Sequence, residues 1–460
     1  MKSMKHKAWI LSLGLAAWLV FFGPYHDSHV SAALDRSIYS NLKVFNEVMS
    51  IIEKNYVEPV SAETLLQGAI NGMVKSLDPH SSYMTADMYK DLEVETRGSF
   101  GGIGTEITIH KDVLTVVSPI EDTPAFNAGI KAGDQIILID GKSTKDITIM
   151  EAVKRLRGPK DTKVTLSILR EGSTRLKEFS ITRAVIKIFS VKHKMLDDNI
   201  GYIRLSSFQE KTIDDLKKAL RDIQSKAKPL RGLVLDMRNN PGGLLTQSVE
   251  VSDAFLKSGT IVSTRGRSKM MESKAVARDD GDEPTCPMIV LVNEGSASAA
   301  EIVSGALQDN GRALILGTQT FGKGSVQTVI PLQGGAALKL TTARYYTPKG
   351  RSIQAEGIIP DIVVKFQRSS DEADIADDDY YIREKDLKGH IKSPKELENP
   401  SQDQAKEKDW RVPARFRDNG SRKDLPLKRE LGDMTRDNQL KSAYDMLKSW
   451  DIFKKNLKNG

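Results

Sequence analysis

Two short stretches of the sequence combine residue types that can cleave an amide or ester bond. The first contains Ser296, Ser298 and Glu301 and lies between an apolar run and an amphipathic segment, so it is predicted to open a helix. Backbone N–H groups converge at a helix N-terminus and can hold an anion beside a nucleophile. Ser298 and Glu301 also fit a capping box, and Ser296 could cap the helix equally well. The local pattern leaves the catalytic and the capping roles open.

The second stretch places Lys323 between Gly322 and Gly324. Flanking glycines allow a lysine to lie against packed backbone, where desolvation favours the neutral amine. A neutral lysine can act as general base toward a serine hydroxyl. A phosphate-binding loop is the alternative, since Gly317, Gly322 and Lys323 match its spacing. That pattern then fails, because Gly324 stands where the loop requires Ser or Thr.

Other hydrolytic centres are weakly supported by the sequence. Among the seven histidines, His80 lies in turn-like sequence, and His110 and His193 have no supporting motif for a Ser-His-Asp triad. No His, Cys and Asp cluster has the spacing of a metal site. The one cysteine, Cys286, excludes an internal disulfide framework and a four-cysteine zinc site.

A glycine-rich segment enters a predicted strand and could bind a carboxylate. Its successive N–H groups can point toward an anion, while Ile103 and Ile107 could line an apolar pocket beside it. A peptide C-terminus could then add as a strand at the sheet edge. Such a glycine cluster alone usually marks a bulge. Its residues are Phe100, Gly101, Gly102, Ile103 and Gly104.

The composition limits the class of protein that carries these residues. At 460 residues the chain is long enough for two or three folded units. With 39% hydrophobic and 28% charged residues, it is globular rather than collagen-like, wholly disordered or multispanning. The net charge of +7 comes from interspersed charges of both signs, which indicates a mildly basic surface and not a nucleic-acid interface.

The N-terminus has the order of a secretory signal. Three lysines precede an apolar run at residues 8–22, which is short for a membrane span, and small residues follow at 30–32. We therefore predict a signal peptide at residues 1–32, with an uncleaved anchor as the alternative, and an exported body.

The periodicity of apolar residues changes along the chain and predicts its organisation. A helical region is followed by short strands, and strands alternate with helices from about residue 200, as in a layered α/β core. An acidic and then mixed-charge stretch predicts a flexible linker, and a last helix follows that docks or dimerises. The predicted regions are 33–95 (helical), 97–185 (β-rich), 186–366 (α/β core), 367–425 (linker) and 426–460 (terminal helix).

These motifs together resemble the carboxyl-terminal processing proteases (tail-specific proteases), which carry a PDZ domain. The resemblance covers residues 35–364, and its order and spacing are highly specific. It implies a crotonase/ClpP-like α/β protease core with an inserted PDZ domain and helical terminal segments. The matching segments begin at Leu77-Asp78-Pro79-His80-Ser81, Phe100-Gly101-Gly102, Asp236-Met237-Arg238, Gly295-Ser296-Ala297-Ser298 and Phe321-Gly322-Lys323.

The resemblance also implies roles for individual residues. In the family the second serine is the nucleophile and a lysine 25 residues later is the base, which selects Ser298 and Lys323 (323 − 298 = 25). Gln327, four residues after the lysine, would orient it. The N–H groups of Ala299 and Gly242 would form the oxyanion hole.

Substrate capture and its regulation are implied for the PDZ domain. Residues 100–104 would bind the substrate's C-terminus, and Arg157 is a candidate for a gating contact with the protease core. The resemblance implies no metal or cofactor. It implies protein or peptide substrates with accessible C-termini, a lipoprotein adaptor in some bacterial relatives, and a bacterial periplasm or cell-envelope location.

Other expectations concern association and alternative functions. Apolar stripes in both terminal helical regions suggest a homo-oligomer. No nucleic acid is expected as a partner, and membrane contact is expected only through an uncleaved leader. The competing functions are a non-catalytic PDZ scaffold, an exported esterase with a Ser-His-Asp triad, and a basic nucleic-acid binder.

Overall fold

The computed structural model describes residues 36–110, 112–120, 122–170, 172–173, 175–227, 229–367, 382–398 and 431–458. The chain divides into two compact units, Met1–Met73 and Val74–Gly460. The predicted leader, residues 1–32, lies outside the described residues. In the ranges given above, no helix combines the length and apolar character that a membrane span requires.

Two helices confirm the periodicity seen near the N-terminus: α1 (Arg36–Asn55) and α2 (Ala62–Lys75). The Ser61 hydroxyl accepts the N–H of Thr64 at 3.2 Å and so caps the start of α2. Several large apolar side chains of α1 are exposed, namely Tyr39, Leu42, Val44, Phe45, Val48 and Ile51.

The next region is rich in strands, as the broken β-pattern predicted. Its elements are β1 (Ser82–Met84), α3 (Ala86–Arg97), β2 (Ser99–Gly102), β3 (Thr105–His110), β4 (Val113–Pro119), α4 (Pro124–Asn127), β5 (Gln135–Ile139), β6 (Lys142–Ser143), α5 (Ile149–Leu156), β7 (Lys163–Leu169), β8 (Lys177–Thr182) and β9 (Ala184–Lys187). Strands β3-β4-β5-β7-β8 form an antiparallel sheet with β6 on β5, and β2 pairs with β9. Alternating residues such as Val164, Leu166 and Ile168 of β7 are fully buried in its core.

The following region is an α/β core with a second, antiparallel sheet. Its elements are β10 (Val191–Leu196), β11 (Ile200–Leu205), α6 (Thr212–Lys226), β12 (Gly232–Asp236), α7 (Leu245–Asp253), β13 (Thr260–Gly266), β14 (Ser273–Val276), β15 (Met288–Val292), α8 (Ala299–Asp309), β16 (Leu314–Gly317), β17 (Ser325–Pro331), β18 (Ala337–Tyr346) and β19 (Ile362–Val363). The main sheet has the order β10-β11-β12-β15-β16-β19 and is parallel from β11 onward. In the second sheet β1, β13 and β17 all pair with β18.

The parallel strands bring three loops together. Strands β12, β15 and β16 are neighbours and point the same way, so the chain leaves all of them at one edge of the sheet. The loops that follow, residues 237–243, 293–298 and 318–324, therefore converge there. These loops contain every candidate of the predicted dyad and oxyanion hole except Ala299, which begins α8.

Of the linker predicted at 367–425, residues 368–381 and 399–425 lie outside the described residues, whereas residues 382–398 are folded, contrary to the prediction. They form a 3-10 turn, Glu384–Asp386, and the short helix α9 (Pro394–Glu398). Glu384 is fully buried although its neighbours in sequence are mostly charged. The charged composition does not predict this burial, because the hydrogen-bond partners of Glu384 lie in distant parts of the chain.

The last helix, α10 (Asn438–Lys458), docks on the main sheet. Its apolar residues Leu440, Ala443, Tyr444 and Leu447 are buried in a cluster with the sheet residues Tyr202, Val234 and Leu291. This stripe is covered by the chain itself, so it does not argue for self-association as the sequence suggested.

Candidate active site

Ser298 lies directly before α8 in a strained turn. Its φ of 53° and ψ of −111° are unfavourable for a residue that has a Cβ. The preceding N–H, of Ala297, donates to the carbonyl of Asn240 at 2.9 Å. A Cβ at Gly242 would lie only 2.8 Å from the Cβ of Ser298, so this approach requires glycine. The surrounding turns thus hold the serine at the helix N-terminus.

The neighbouring Ser296 has a structural role. Its fully buried hydroxyl donates to the carbonyl of Met237 at 2.8 Å and accepts the N–H of Asn293 at 3.0 Å. These bonds join the loops after β12 and β15. Of the two serines that the sequence left open, Ser296 is therefore committed to holding the loops together.

The carboxylate of Glu301 ties the serine turn to the lysine loop. Its Oε2 accepts the N–H of Ser298 at 2.8 Å and that of Lys323 at 2.9 Å. Its Oε1 accepts the hydroxyl of Thr320 at 2.6 Å and the N–H of Gly322 at 2.7 Å. Burial raises the pKa of Glu301 to about 7, against the four hydrogen bonds that favour the carboxylate.

Glu301 makes more hydrogen bonds than the capping pattern of the sequence predicts. The capping pattern explains its bond to the N–H of Ser298. Its contacts with residues 320–323 join two elements far apart in sequence. Spacing alone contains no signal for such contacts.

The glycines on either side of Lys323 allow the loop to lie against other backbone. A Cβ at Gly324 would be 2.3 Å from the backbone nitrogen of Gln354, and Gly322 has a φ of 98°. The predicted close packing around the lysine is therefore confirmed.

The surroundings of the Lys323 amine favour its neutral form. Burial lowers the pKa of Lys323, and the positive charge of Lys339 lowers it further. The carboxylates of Glu384, Glu301 and Asp78 oppose this shift without cancelling it. A lysine in this environment can accept a proton more readily at neutral pH than a solvated one.

Gln327 lies in β17 beside the lysine loop. Its amide NH₂ donates to Ser325 Oγ at 2.9 Å and to Thr341 Oγ1 at 3.4 Å. A hydrogen bond to the Lys323 amine, which the resemblance implies, is not among the contacts of the described residues. The amide is instead oriented by the two hydroxyls of the antiparallel sheet.

The segment before β1 supports this sheet through Asp78. The Asp78 carboxylate accepts the hydroxyl of Ser81 at 2.6 Å and that of Thr341 at 3.1 Å. Burial would raise the pKa of Asp78, but these hydrogen bonds and two backbone N–H donors lower it overall. Thr341 also accepts a hydrogen bond from Gln327, so the segment before β1 is joined to β17, the strand that follows the lysine loop.

A second chain of hydrogen bonds starts at His80. His80 Nε2 and Glu384 Oε2 are 2.7 Å apart, and Glu384 Oε1 accepts the amide of Gln354 at 2.8 Å. Gln354 Oε1 in turn accepts the N–H of Gly324 at 3.1 Å. The turn predicted around His80 is confirmed, since its N–H donates to Asp78 Oδ1 at 2.8 Å, and its side chain additionally connects it to the residue after Lys323.

The predicted oxyanion donors differ in their availability. The N–H of Ala299 meets no acceptor in the described part of the chain, as expected in the first turn of a helix. The N–H of Gly242 donates to Asn240 Oδ1 at 2.9 Å. The Asn240 side chain thus occupies that N–H in this arrangement, and the role of Gly242 as the second donor stays a prediction.

The candidate carboxylate-binding segment, residues 100–104, runs through β2 to the start of β3. Gly101 accepts the N–H of Gly158 at 3.0 Å, and a Cβ at Gly104 would lie 2.4 Å from Thr123. Ile103 is buried in the β-rich core, and Ile107 of β3 packs there together with Ile149 of α5. The apolar lining thus lies between β3 and α5.

Arg157, the gating candidate, contacts this same segment. Its guanidinium lies 4.7 Å from the ring centre of Phe100 and donates to Asp91 Oδ1 at 3.0 Å. The prediction was a contact with the protease core. Its side chain instead contacts Phe100 of β2 and Asp91 of α3.

In the part of the chain that the structure describes, the histidines and acidic residues do not form an alternative centre. His80 pairs with Glu384, and His193 pairs with Asp222 at 2.8 Å, so neither is hydrogen-bonded to Ser298. Within the described ranges there is no group of three or more His, Cys, Asp or Glu residues that could hold a metal ion.

Comparisons with known families agree with the geometry. Residues 199–364 match the family model Peptidase family S41, residues 91–169 match PDZ domain, and residues 25–88 match Activating protease CtpB N-terminal domain. The solved structure titled photosystem II D1 C-terminal processing protease is 30% identical. That similarity covers 70% of this chain and 86% of the other, with a TM-score of 0.43.

Similar whole proteins come from several bacteria. The carboxy-terminal-processing protease of Bartonella bacilliformis is 49% identical over 371 residues, which are 80% of this chain and 84% of that protein. The carboxyl-terminal-processing protease of Synechocystis is 38% identical, covering 68% of this chain and 75% of that protein. The carboxy-terminal processing protease CtpA of Bacillus subtilis is 37% identical, covering 70% and 69%. The chain therefore belongs to the carboxy-terminal-processing proteases, the serine-type peptidases of family S41 that carry a PDZ domain.

Proposed function

We propose that this peptidase is an exported endopeptidase that captures protein substrates by their C-termini through its PDZ domain. Ser298 is the nucleophile and Lys323 the general base. The observation that carries the proposal is the carboxylate of Glu301, which accepts the N–H of both residues through one oxygen atom. A buried group with four hydrogen bonds thus fixes the two backbone segments relative to each other.

The chemistry follows from the lowered pKa of Lys323. The neutral amine takes the hydroxyl proton of Ser298 as Oγ attacks the scissile carbonyl carbon. The ammonium then gives this proton to the leaving amine as the peptide bond breaks. Water attacks the resulting ester as Lys323 accepts its proton, and the ammonium then returns that proton to Ser298 Oγ as the carboxylic acid product leaves. Gln327 holds the amine in line once substrate is bound.

The negative oxygen of the tetrahedral intermediate needs fixed donors. Ala299 supplies the first through its unengaged N–H, and one such donor contributes about 2.7–4 kcal/mol to the transition state. Gly242 supplies the second after its N–H leaves Asn240 Oδ1. The site is then complete only when the turn at residues 240–243 has adjusted to the substrate.

Substrate capture is assigned to residues 100–104 and the groove between β3 and α5. A C-terminal carboxylate binds the N–H groups of the glycine-rich segment, and an apolar last side chain contacts Ile103 and Ile107. Arg157 lies over Phe100 and is therefore placed to respond to an occupied groove. In this proposal the region 97–185 captures substrate and the region 186–366 cleaves it.

The location and further partners follow from the sequence. The leader at residues 1–32 directs the protein to a bacterial periplasm or cell envelope. The exposed apolar residues of α1 favour self-association. A lipoprotein adaptor is the remaining partner that the family resemblance suggests.

The test is cleavage of an unfolded protein that ends in apolar residues. We expect the parent enzyme to cleave it, and Ser298→Ala and Lys323→Ala to remain folded but inactive. Ser258→Ala is the control, since it removes an exposed serine hydroxyl outside the three loops and should keep turnover per folded molecule. Parent-like cleavage by Lys323→Ala would exclude the dyad. Peptide binding without cleavage by the parent would support a scaffold.

A further inference from the structure

Asp437, at the start of the C-terminal helix, forms a two-pronged ion pair with Arg238. Arg238 Nη1 donates to Asp437 Oδ1 at 2.8 Å and Nη2 donates to Oδ2 at 2.6 Å. Asp437 Oδ1 also accepts the N–H of Leu440 at 2.9 Å, so the same carboxylate caps α10. Gln439 adds a third acceptor for the guanidinium at 3.0 Å.

On its other side Arg238 binds the end of strand β12. Its Nε donates to Asp236 Oδ1 at 3.0 Å and its Nη2 to Asp236 Oδ2 at 2.7 Å. Arg204 also pairs with Asp236, at 3.1 Å, and donates to the carbonyl of Arg238 at 3.0 Å. Burial would raise the pKa of Asp236, but the two guanidinium groups keep it lowered.

The charges in this cluster balance only when Asp437 is present. Two arginines face two aspartates, and Arg238 and Asp236 are nearly inaccessible to water, with 8% and 1% exposed. Removing one partner of such a buried pair leaves an uncompensated charge, which is strongly unfavourable. Without Asp437, the two guanidinium groups would share the single carboxylate of Asp236.

Arg238 is continuous with the turn that packs against the nucleophile. The next residue, Asn239, has a left-handed φ of 54°, and its N–H donates to Asn293 Oδ1 at 2.7 Å. Asn240 then accepts the N–H of Ala297, the residue before Ser298. A displacement of the Arg238 backbone would therefore be passed through two residues to the serine turn.

The helix that carries Asp437 is anchored independently of the ion pair. Leu440 and Leu447 are buried against the main sheet. Gln439 donates to the carbonyl of Val364 at 2.7 Å and Asn438 to that of Lys365 at 2.8 Å. These contacts hold α10 to the segment that follows β19, so Asp437 acts as a fixed point against which Arg238 is braced.

We propose that Asp437 is a positioning residue for the active site: by bracing Arg238, the C-terminal helix holds the start of the turn at residues 239–243, against which the turn of Ser298 packs. This inference rests on the dyad proposed above. It makes a segment outside the matched peptidase region, residues 199–364, part of the hydrolytic machinery. The helix would then be needed for turnover and not for substrate binding by the PDZ domain.

The experiment compares full-length Asp437→Asn, Asp437→Ala and Asp445→Asn enzymes on a short quenched peptide. Asp445 is an exposed acid on the same helix, paired with Lys441, and is therefore the matched control. The folded fraction of each enzyme is taken from its thermal unfolding curve, and kcat is expressed per folded molecule. For Asp437→Asn we expect kcat to fall about 10- to 100-fold with KM nearly unchanged, because misplacement of a distant support lowers the rate at the reacting centre.

A second readout separates positioning from stability. Formate supplies a small carboxylate that can bind Arg238 in the space left by Asp437→Ala, so it should restore part of kcat where chloride at equal ionic strength does not. Parent-like kcat per folded Asp437→Asn molecule would overturn the inference. Ser298→Ala is assayed alongside: its activity at the parent level would remove the dyad itself, whereas an inactive Ser298→Ala with an active Asp437→Asn removes only the role of Asp437.

Discussion

Glu301 and Lys323 are joined by a hydrogen bond of 2.9 Å from the backbone N–H of the lysine to Glu301 Oε2. The same oxygen accepts the N–H of Ser298 at 2.8 Å. The proposed nucleophile and base are thus positioned by one atom of a third residue. Because the carboxylate is fully buried, water does not compete for these bonds.

Replacing Glu301 with Gln should damage this junction. A glutamine offers one acceptor oxygen, and its NH₂ would face N–H donors that have lost their partner. We expect kcat to fall about 10- to 100-fold and the free energy of unfolding to fall by about 1–3 kcal/mol. Peptide hydrolysis and urea unfolding measure the two effects.

Glu294→Gln is the control for Glu301→Gln. Glu294 lies in the loop before α8, where the donor found among the described residues is the hydroxyl of Thr318 at 2.8 Å. A glutamine oxygen can still accept this hydrogen bond. Equal kcat values for the two variants would contradict the role given to Glu301.

The pH dependence of cleavage should respond to Lys339. Its charge lowers the pKa of Lys323, so Lys339→Gln should raise that pKa. Activity requires the neutral amine and is lost as the pH falls through the pKa of Lys323. The acidic limb of kcat/KM should therefore move to higher pH, while Lys349→Gln, at an exposed position, should leave it in place. An unmoved or lowered limb in Lys339→Gln would contradict the assignment.

The lowered pKa of Lys323 should also make the stability of the enzyme depend on pH. Between that pKa and the ordinary value of 10.5, the unfolded chain binds more protons than the folded one, so stability rises with pH across this interval. Lys323→Met should abolish this rise and increase the thermal midpoint at neutral pH while removing activity. Thermal unfolding at several pH values measures this pH dependence. A rise in Lys323→Met as steep as in the parent would show that Lys323 is not its cause.

Residues 382–398 should contribute to stability through Glu384. Glu384→Ala removes the partner of Gln354 and of His80, and each buried group left unpaired costs about 1–3 kcal/mol. Glu398→Ala, at an exposed position in the same segment, should have little effect. Urea unfolding compares them; identical stability of the two variants would indicate that this segment is not docked in solution.

Substrate capture should depend on the groove between β3 and α5. Ile107→Lys should raise KM about tenfold for a protein ending in apolar residues, since a burial of this size contributes about 1.5–3 kcal/mol. Amidation of the substrate's C-terminus should raise KM of the parent in the same way. Thr108→Lys, on the opposite face of the strand, is the control. Equal KM values for the two lysine variants would argue against capture at this groove.

The strands of the core were predictable because their local residue types alone favour a strand. The apolar runs at residues 135–139, 163–169, 200–205, 232–236 and 288–292 each predict a strand, and they form β5, β7, β11, β12 and β15. Apolar runs of β-branched residues between turn residues define such strands without reference to the rest of the chain. Residues 382–398 were assigned to a linker for the opposite reason, since charged residues there are buried only through distant partners.

The sequence by itself determined the family resemblance, the α/β and β-rich regions, and the choice of Ser298 and Lys323, because the residue types and their spacing are local facts. Tertiary structure decided what each side chain does. It committed the hydroxyl of Ser296 to Met237, engaged the N–H of Gly242 with Asn240, and joined Asp437 to Arg238. The bonds of Ser296 and Asp437 join segments remote in sequence, which meet because of how the parallel strands and the last helix pack. The Gly242 bond is local, but it depends on the shape that the turn after β12 adopts in the folded chain.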